Sequence, residues 1–399
     1  MQKWLLPEYI DDILPAEAAR VEYLRRLILD LFAVHAYEQV MPPLIEYLDA
    51  LLTGTGHDLA LRTFKLVDQL SGRTLGLRAD ITPQAARIDA HLLNRNGVTR
   101  LCYSGSVLHA LPSGLMRTRE PLQIGAEIYG HAGLESDLEI QTLMLRALSA
   151  AGVRGVHLDI GHVAVLRAIV RRAVLEPELE AELFRTLQAK DVPALNELTR
   201  HLDRPVGEAL RCLPELYGGV EVLKRARKLL PDYPDIVAAL DALEALGRDL
   251  AGEVSELCFD LAELRGYHYH SGVVFAAYVR GGTDAIARGG RYDEVGRAFG
   301  RARPATGFSI DLRELAAISE AGPRRQRVLA PYRPADESLQ AAMRKLRESG
   351  VVVVPELPGH ADSVDELECD AQLAQRGGKW VVEARASDAD ESHSSGSKG

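Results

Sequence analysis

The sequence has few cysteines and no paired cysteine motif. Its four cysteines, at positions 102, 212, 258 and 369, lie far apart, and no Cys-x-x-Cys is present. This spacing predicts neither a zinc site nor a disulfide framework, and it favours reduced thiols in a cytoplasmic protein. The first twenty residues contain only short apolar pieces broken by Pro7 and Pro15. They therefore predict neither a secretory signal nor a membrane span.

The sequence also lacks the short motifs of the commonest hydrolases and phosphate-binding enzymes. Gly-x-x-x-x-Gly-Lys, His-Glu-x-x-His and Gly-x-Ser-x-Gly are all absent, so P-loop, zinc-protease and serine-hydrolase functions have no motif to support them. Basic residues are outnumbered, with 47 Lys and Arg against 57 Asp and Glu, which gives a formal net charge of −10. Nucleic acids and anionic membranes would repel such a chain at long range, so neither is expected as a partner.

Length and composition predict a globular protein with two or three domains, because 399 residues at 47% hydrophobic content can form one large core and smaller ones. Short alternating runs in the first third predict one antiparallel sheet. We expect an α+β core, an antiparallel sheet flanked by helices, with an all-helical insert, a small C-terminal α/β segment and a disordered tail. The corresponding ranges are 1–174 with 251–320 for the core, 175–250 for the insert, 323–384 for the α/β segment and 385–399 for the tail.

Polar side chains occupy strand positions where apolar ones are usual. In LQIGAEIYG, Gln123 and Glu127 share one face of the predicted strand because their spacing is even. In LRADIT, Asp80 and Thr82 share a face of theirs for the same reason. Such a face is either solvated, which is the commoner case for a single residue, or the wall of a polar pocket. The residues by themselves leave both interpretations open.

Four ordered motifs resemble those of the class II aminoacyl-tRNA synthetases, and specifically the histidyl-tRNA synthetase core. LRADIT is similar to the family's Leu-Arg-Pro-Glu-x-Thr, and LQIGAEIYG to its Gln-x-Gly-x-Glu-x-x-Gly. RGYHYHSGVVF is similar to its Arg-Gly-x-Asp-Tyr-Tyr element, and ARGGRYDEV contains its Gly-Gly-Arg-Tyr-Asp. The similarity covers about residues 5 to 320, including the helical insert. It implies a class II synthetase catalytic-core fold.

The resemblance also implies a pocket for histidine. The candidate histidine-binding residues that it assigns are Asp80, Thr82 and Gln123 for the α-amino group, and Glu127, Arg265 and Tyr269 for the carboxylate and the imidazole. The chemistry is suitable, because an ammonium needs acceptors, a carboxylate needs a guanidinium, and an imidazole N–H is well recognised by a buried carboxylate. His270 departs from the family, which has a second tyrosine there.

The nucleotide half of the site departs further from the synthetase pattern. In VLHALPSG, His109 and Leu111 stand where the family has its phosphate-binding arginine and its adenine-reading glutamate. In the last class motif Glu314 stands in place of an arginine, and Asp311 adds a second acid. This end of the pocket is therefore expected to lack cations. Because a reacting phosphate needs preorganised cations, we expect no catalytic residue, and neither metal nor cofactor.

Longer phrases resemble a non-catalytic branch of this superfamily, the ATP phosphoribosyltransferase regulatory subunits. They are LLPEYIDDILP, PLQIGAEIYGHAGLESDLE and TGFSIDLREL. The resemblance implies a role in the first step of histidine biosynthesis, with a short-form catalytic subunit as partner and histidine as the feedback effector. It further implies a homodimer within a hetero-octamer, in the cytoplasm. The C-terminal segment agrees, because it is short for the anticodon-binding domain of a synthetase.

Two other functions remain open from the sequence. One is an active histidyl-tRNA synthetase, which would show histidine-dependent exchange between ATP and pyrophosphate. The other is a free-standing histidine sensor that acts on a different partner. Whether histidine binds the synthetase-like pocket or a subunit interface is also left open.

Overall fold

The structure is a computed structural model. The residues it describes are 4–53, 57–112, 118–173, 175–264, 266–267, 269–282, 284–319, 322, 325–359 and 366–385. The chain forms two compact units, Met1–Glu320 and Ala321–Gly399. Of the predicted tail, 385–399, all but its first residue lies outside the described residues. No helix in the described ranges is both long and apolar enough to cross a membrane.

The first unit contains twelve α-helices among its described residues. They are α1 Pro15–Val34, α2 Leu48–Leu51, α3 His57–Arg62, α4 Thr82–Arg87, α5 Leu134–Ala150, α6 Ala164–Ala173, α7 Pro177–Gln188, α8 Val192–Leu198, α9 Arg204–Cys212, α10 Glu221–Leu229, α11 Pro234–Leu250 and α12 Leu312–Ile318. A π-helical segment, Ile88–Leu93, continues α4, and two 3₁₀ segments occur at Leu213–Glu215 and Val295–Phe299. Helix α1 begins with a proline, which suits the first turn, and its apolar residues at helical spacing are buried.

A nine-stranded sheet forms the centre of the first unit. Its strands are β1 Glu38–Gln39, β5 Thr99–Ser106, β6 Leu122–Tyr129, β7 Val156–His162, β8 Tyr217–Gly218, β9 Glu256–Asp260, β10 Val273–Val279, β11 Ala287–Arg291 and β12 Ala305–Asp311. They are ordered β1-β5-β6-β12-β11-β10-β7-β9-β8. The β1–β5 and β7–β9 pairs are parallel, and the other pairs are antiparallel. This largely antiparallel sheet flanked by helices is the architecture that the sequence predicted.

A second, three-stranded sheet lies in the N-terminal part of the same unit, so the short alternating runs of the first third form two sheets and the prediction of one sheet is wrong. Its strands are β2 Ile45–Tyr47, β3 Phe64–Val67 and β4 Thr74–Leu77, in the order β2-β4-β3. Strand β4 ends before Asp80, and Thr82 is the first residue of α4. The prediction that these two side chains share a strand face is therefore wrong. The Thr82 amide donates to Asp80 Oδ1 at 3.0 Å and Pro83 follows, which turns the chain into a helix.

The helices α7 to α11 share one core with the sheet. Buried leucines of these helices, such as Leu183 and Leu243, belong to the same apolar cluster as Ile160 of β7 and Phe308 of β12. The short strand β8 lies between two of these helices in sequence and extends the sheet next to β9, so the expectation that residues 175–250 are all-helical is wrong. Packing of this kind makes the helical stretch part of the first unit, because its apolar faces are buried against that unit's own strands and helices.

The second unit is a small α/β fold. Its elements are β13 Arg327–Ala330, α13 Glu337–Glu348, β14 Val352–Pro355, β15 Ala371–Arg376 and β16 Lys379–Ala384. The strand order is β14-β13-β15-β16, and β13 runs parallel to both neighbours. Asp336 caps α13 by accepting the Leu339 amide at 3.0 Å, and Leu339 and Met343 of that helix are buried against the strands.

Candidate functional site

A cavity of about 610 Å³ lies over one face of the nine-stranded sheet. Five of the six candidate histidine-binding residues line it: Asp80, Thr82, Gln123, Glu127 and Tyr269. The sixth, Arg265, lies outside the described residues. Of the three nucleotide-site positions, His109 and Glu314 also line the cavity, whereas the Leu111 side chain is 62% exposed and does not. Residues that are far apart in the chain thus meet in one pocket.

Glu127 of β6 is the most deeply buried acid of this cavity, with 1% of its surface exposed. The Tyr103 hydroxyl donates to its Oε1 at 2.9 Å, and the Tyr292 hydroxyl donates to its Oε2. Burial raises the pKa of the Glu127 carboxyl to about 8, although both hydroxyls favour the ionised form. The carboxyl is therefore protonated at neutral pH until a cationic or N–H group enters the cavity and favours its ionised form.

Asp80 and Gln123 are held against each other beside Glu127. The Gln123 amide nitrogen donates to Asp80 Oδ1 at 2.8 Å, and its oxygen accepts the Ile81 amide at 2.9 Å. These bonds fix the orientation of the Gln123 amide and join the loop after β4 to β6. Thr82 adds a bond of 2.9 Å between its hydroxyl and that of Tyr103. Acceptors from a loop, a helix and a strand converge here, as an ammonium ligand requires.

Tyr269 supplies a hydrogen-bonding group that no described residue satisfies. Its ring stacks on that of Tyr292, with centroids 5.1 Å apart, and burial raises the pKa of its hydroxyl well above the ordinary range. The hydroxyl oxygen is buried and has no hydrogen-bond partner in the described part of the chain. Buried polar atoms of folded proteins are almost always hydrogen-bonded, so a polar ligand in the cavity is the natural partner for this hydroxyl.

The cavity is lined by cations that the sequence motifs did not predict. Arg62, the last residue of α3, and Arg288 of β11 both line the cavity. Arg62 contacts His109, so the expectation that the nucleotide end of the cavity lacks cations is wrong. Arg62 belongs to no recognised motif, and Arg288 stands directly before the Gly-Gly-Arg-Tyr-Asp motif, so the motifs assigned neither arginine to the cavity. They reach the cavity because α3 and β11 are brought to it by the fold.

His109 contacts one of these arginines directly. Its Nε2 lies 3.0 Å from the Ala79 carbonyl oxygen, and Arg62 Nη2 lies 3.1 Å from its Nδ1 and 3.0 Å from its Nε2. Burial, followed by the nearby guanidinium, lowers the pKa of His109 to about 4. The ring is therefore neutral at pH 7, with Nε2–H donating to the carbonyl and Nδ1 accepting from Arg62. A neutral imidazole thus occupies the position that the motif resemblance assigns to a synthetase arginine.

The two acids at the end of β12 differ in their roles. Asp311 caps α12, because its Oδ1 accepts the Arg313 amide at 2.9 Å and also the Leu122 amide at 3.3 Å. Glu314 lies in the first turn of α12 and lines the cavity. The Arg313 side chain between them contacts Glu17 and Thr118, and Thr118 lines the cavity. Asp311 and Glu314 therefore both line the cavity, and Arg313 contacts a residue of the cavity lining without lining it itself.

Gly307 makes room for the Glu127 carboxylate. The two residues are paired across β12 and β6, and a Cβ atom at Gly307 would overlap Glu127 Oε2. We expect Gly307→Ala to displace the carboxyl and to lower the free energy of unfolding by about 1 to 3 kcal/mol through overpacking. Urea denaturation measures this change. Gly252→Ala is the control, since a Cβ there meets nothing within 4 Å; equal losses in the two variants would contradict the steric argument.

Comparison with known proteins agrees with this architecture. The histidyl-tRNA synthetase family model matches residues 9–315, and the model for the ATP phosphoribosyltransferase subunit HisZ C-terminal domain matches residues 325–383. A histidyl-tRNA synthetase structure from Nostoc sp. PCC 7120 superimposes with a TM-score of 0.76 over 96% of this chain and 97% of its own, at 18% identity. These matches define a protein with the fold of the class II synthetases and confirm the predicted fold class.

Closer relatives identify the branch. The regulatory subunit of ATP phosphoribosyltransferase from Ralstonia nicotianae is 60% identical over 389 residues, which are 98% of this chain and 100% of that protein. The subunit of the same name from Nitrosospira multiformis is 58% identical over 386 residues, 96% of this chain and 98% of its own. A Bacillus halodurans structure described as an ATP phosphoribosyltransferase regulatory subunit/histidyl-tRNA synthetase has a TM-score of 0.81 at 27% identity, covering 92% of this chain and 96% of its own. The chain belongs to the family of ATP phosphoribosyltransferase regulatory subunits, a family of histidine biosynthesis.

Proposed function

We propose that this chain is the non-catalytic subunit of an ATP phosphoribosyltransferase and that it binds free histidine in the 610 Å³ cavity. The observation that carries the proposal is the buried Glu127 carboxyl, which lies among polar groups. The Tyr269 hydroxyl in the same cavity has no hydrogen-bond partner among the described residues. Acceptors and a buried carboxyl in one cavity suit a small molecule with an ammonium and an imidazole N–H.

Each part of histidine has a proposed partner. Asp80, Thr82 and Gln123 receive the α-amino group, because an acid, a hydroxyl and an amide oxygen can all accept from an ammonium. Glu127 and Tyr269 meet the imidazole ring, the first by accepting its N–H. Arg265 is assigned to the carboxylate from the family resemblance, since it lies outside the described residues.

The absence of catalysis is part of the proposal. A neutral His109 and the acidic Glu314 occupy two positions where the synthetases have arginines, and Leu111 replaces the adenine-reading glutamate. Arg62 bonds to His109 and Arg288 pairs with Asp284, so both guanidinium groups have protein partners in the ligand-free chain. Stabilising a reacting phosphate requires cations aimed at it, which supports the absence of amino-acid activation. An active synthetase would instead show histidine-dependent exchange between ATP and pyrophosphate.

The proposed partner is a short-form catalytic subunit, with this chain as a homodimer inside a hetero-octamer in the cytoplasm. Exposed apolar side chains around the three-stranded sheet support a protein interface there; they include Met41, Ile45, Val67 and Leu70. Feedback then requires that histidine bind one quaternary state better than the other. A coupling free energy of about 1 to 3 kcal/mol, equal to about 5- to 150-fold in affinity, is typical of such regulation.

The decisive experiment mixes purified chain with a short-form catalytic subunit and measures phosphoribosyl transfer from phosphoribosyl pyrophosphate to ATP. We expect activity well above that of the catalytic subunit alone, and inhibition of the mixture by histidine. The chain alone should show no histidine-dependent pyrophosphate exchange. Absence of activation on mixing would overturn the proposed partnership. Activation without inhibition by histidine would overturn only the effector assignment.

A further inference from the structure

A second polar cavity lies near the edge of the nine-stranded sheet that ends in β9 and β8. It has a volume of about 440 Å³, and it is lined by His157, Asp159, Lys190, Tyr217 and Asp260, among others. None of these five residues belongs to the candidate histidine site. The cavity adjoins a group of side chains whose chemistry the regulatory function leaves unexplained.

The parallel pairing of β7 and β9 gathers that group. His157 is paired with Glu256, and Asp159 is paired with Cys258 two positions further along. Paired residues project to the same side of a sheet, as do residues two apart on one strand. An imidazole, a thiol and two carboxyls are therefore held together by rigid strands. Strands position ligands more precisely than loops do.

The distances fit a tetrahedral metal site. His157 Nδ1 lies 3.4 Å from a Glu256 carboxylate oxygen, and Cys258 Sγ lies 3.9 Å from the other oxygen. Ligand atoms of the three residues all lie within 4.8 Å of one another. With Zn–N, Zn–O and Zn–S bonds of about 2.0 to 2.3 Å, tetrahedral geometry separates N and O ligands by about 3.3 Å and S and O ligands by about 3.6 Å. Small side-chain rotations would therefore bring all three ligand atoms to bonding distance of one metal ion.

The hydrogen bond on the other side of the His157 ring has the pattern found around metal-binding histidines. His157 Nε2 lies 2.7 Å from Asp159 Oδ1. When Nε2–H donates to this carboxylate, Nδ1, which lies 3.4 Å from a Glu256 carboxylate oxygen, keeps its lone pair for a metal ion. A carboxylate that fixes the tautomer of a ligating histidine in this way is a regular feature of zinc sites.

We infer that His157, Glu256 and Cys258 form a zinc-binding site, with Asp159 orienting the imidazole. Mixed nitrogen, sulfur and carboxylate ligation suits Zn²⁺, whereas Mg²⁺ and Ca²⁺ prefer oxygen ligands alone. Three protein ligands leave the fourth position for water or a small ligand. Cysteine spacing predicted no such site, because spacing rules find ligand pairs in one segment and these ligands come from strands about 100 residues apart.

The test titrates the metal-free full-length chain with ZnCl₂ by calorimetry, using apo-protein prepared with a chelator. We expect one Zn²⁺ per chain. His157→Gln and Cys258→Ser should each reduce the affinity by at least about 100-fold, and Asp159→Asn by about 10- to 100-fold. Cys212→Ser is the matched control, since this half-buried thiol lies outside the cluster, and it should leave binding unchanged. Binding that is equally strong in the His157 and Cys258 variants, or no binding at all, would overturn the inference.

A second measurement uses the unaltered chain, so it does not depend on the variants folding. Co²⁺ replaces Zn²⁺ in tetrahedral sites, and a thiolate ligand then adds sulfur-to-cobalt charge-transfer absorption in the near ultraviolet. We expect this band together with visible bands of tetrahedral intensity, both lost on adding Zn²⁺. A weak octahedral spectrum without the charge-transfer band would show that Cys258 is not a ligand and would overturn the site.

Discussion

Replacing Glu127 with glutamine is expected to weaken histidine binding by about 10- to 100-fold. The Glu127 carboxyl is buried and accepts hydrogen bonds from the hydroxyl groups of Tyr103 and Tyr292. The glutamine amide has the same shape but only one acceptor oxygen, because its nitrogen is a donor. One of the two tyrosine hydroxyls therefore loses its acceptor, and the ligand loses a charged acceptor. Hydrogen bonds to charged groups contribute about 1.5 to 3 kcal/mol, which corresponds to this range of affinities. Calorimetry with histidine and the inhibition curve of the mixed complex both measure it.

The pH dependence gives the same variant a sharper signature. Burial raises the pKa of the Glu127 carboxyl from its ordinary 4.5 to about 8. Histidine that donates to this group favours the ionised form, so affinity should rise as pH increases towards 8, and Glu127→Gln should flatten the rise. The folded chain also holds a proton that the unfolded chain releases. Its free energy of unfolding should therefore fall as pH rises from about 4.5 to about 8.

Glu22→Gln is the matched control for these measurements. Glu22 lies on α1, where it pairs with Arg25 and Arg26 away from the cavity lining. Its replacement should leave histidine affinity and its pH dependence unchanged. If Glu127→Gln keeps full inhibition by histidine in the complex, the effector binds elsewhere, and the subunit interface becomes the site to examine.

Replacing Arg291 with methionine is expected to lower the free energy of unfolding by about 3 to 5 kcal/mol. Its Nε and Nη2 lie 3.0 and 2.9 Å from Asp137 Oδ2, and Nη2 also donates to Ser136 Oγ and the Gly133 carbonyl. Arg291 and Asp137 are both buried. Removing one partner leaves the other charge buried without compensation, which is far costlier than losing an exposed pair. Urea denaturation followed by circular dichroism measures the loss.

Two further variants separate charge from packing. Arg297→Met alters an exposed arginine of the same region and should change the free energy of unfolding by less than about 0.5 kcal/mol. Combining Arg291→Met with Asp137→Leu removes both charges and should recover part of the stability lost by the single variant. If the double variant is as unstable as the sum of two single ones, lost packing rather than an uncompensated charge explains the effect.

Much of the fold and part of the site could be predicted from sequence because their signals are local. The helical spacing of apolar residues in α1 and the alternating strands predicted elements that the structure contains. Ordered motifs predicted the class II fold, and the structure gathers Asp80, Gln123 and Glu127 in one cavity. A strand period of two was enough to place Gln123 and Glu127 on one face. The same period failed for Thr82. There the Asp80 side chain accepts the Thr82 amide and Pro83 follows, so a helix begins in place of a strand.

The sequence by itself determined the family and much of the order of the elements, and it predicted the replaced nucleotide-site residues, since each depends on residue identity within a short stretch. Only the tertiary structure decided that Arg62 bonds to His109, 47 positions away, and that His157 meets Glu256 and Cys258. Such contacts depend on how helices pack and how strands pair. Residues distant in sequence become neighbours through the burial of apolar faces, which no local pattern records.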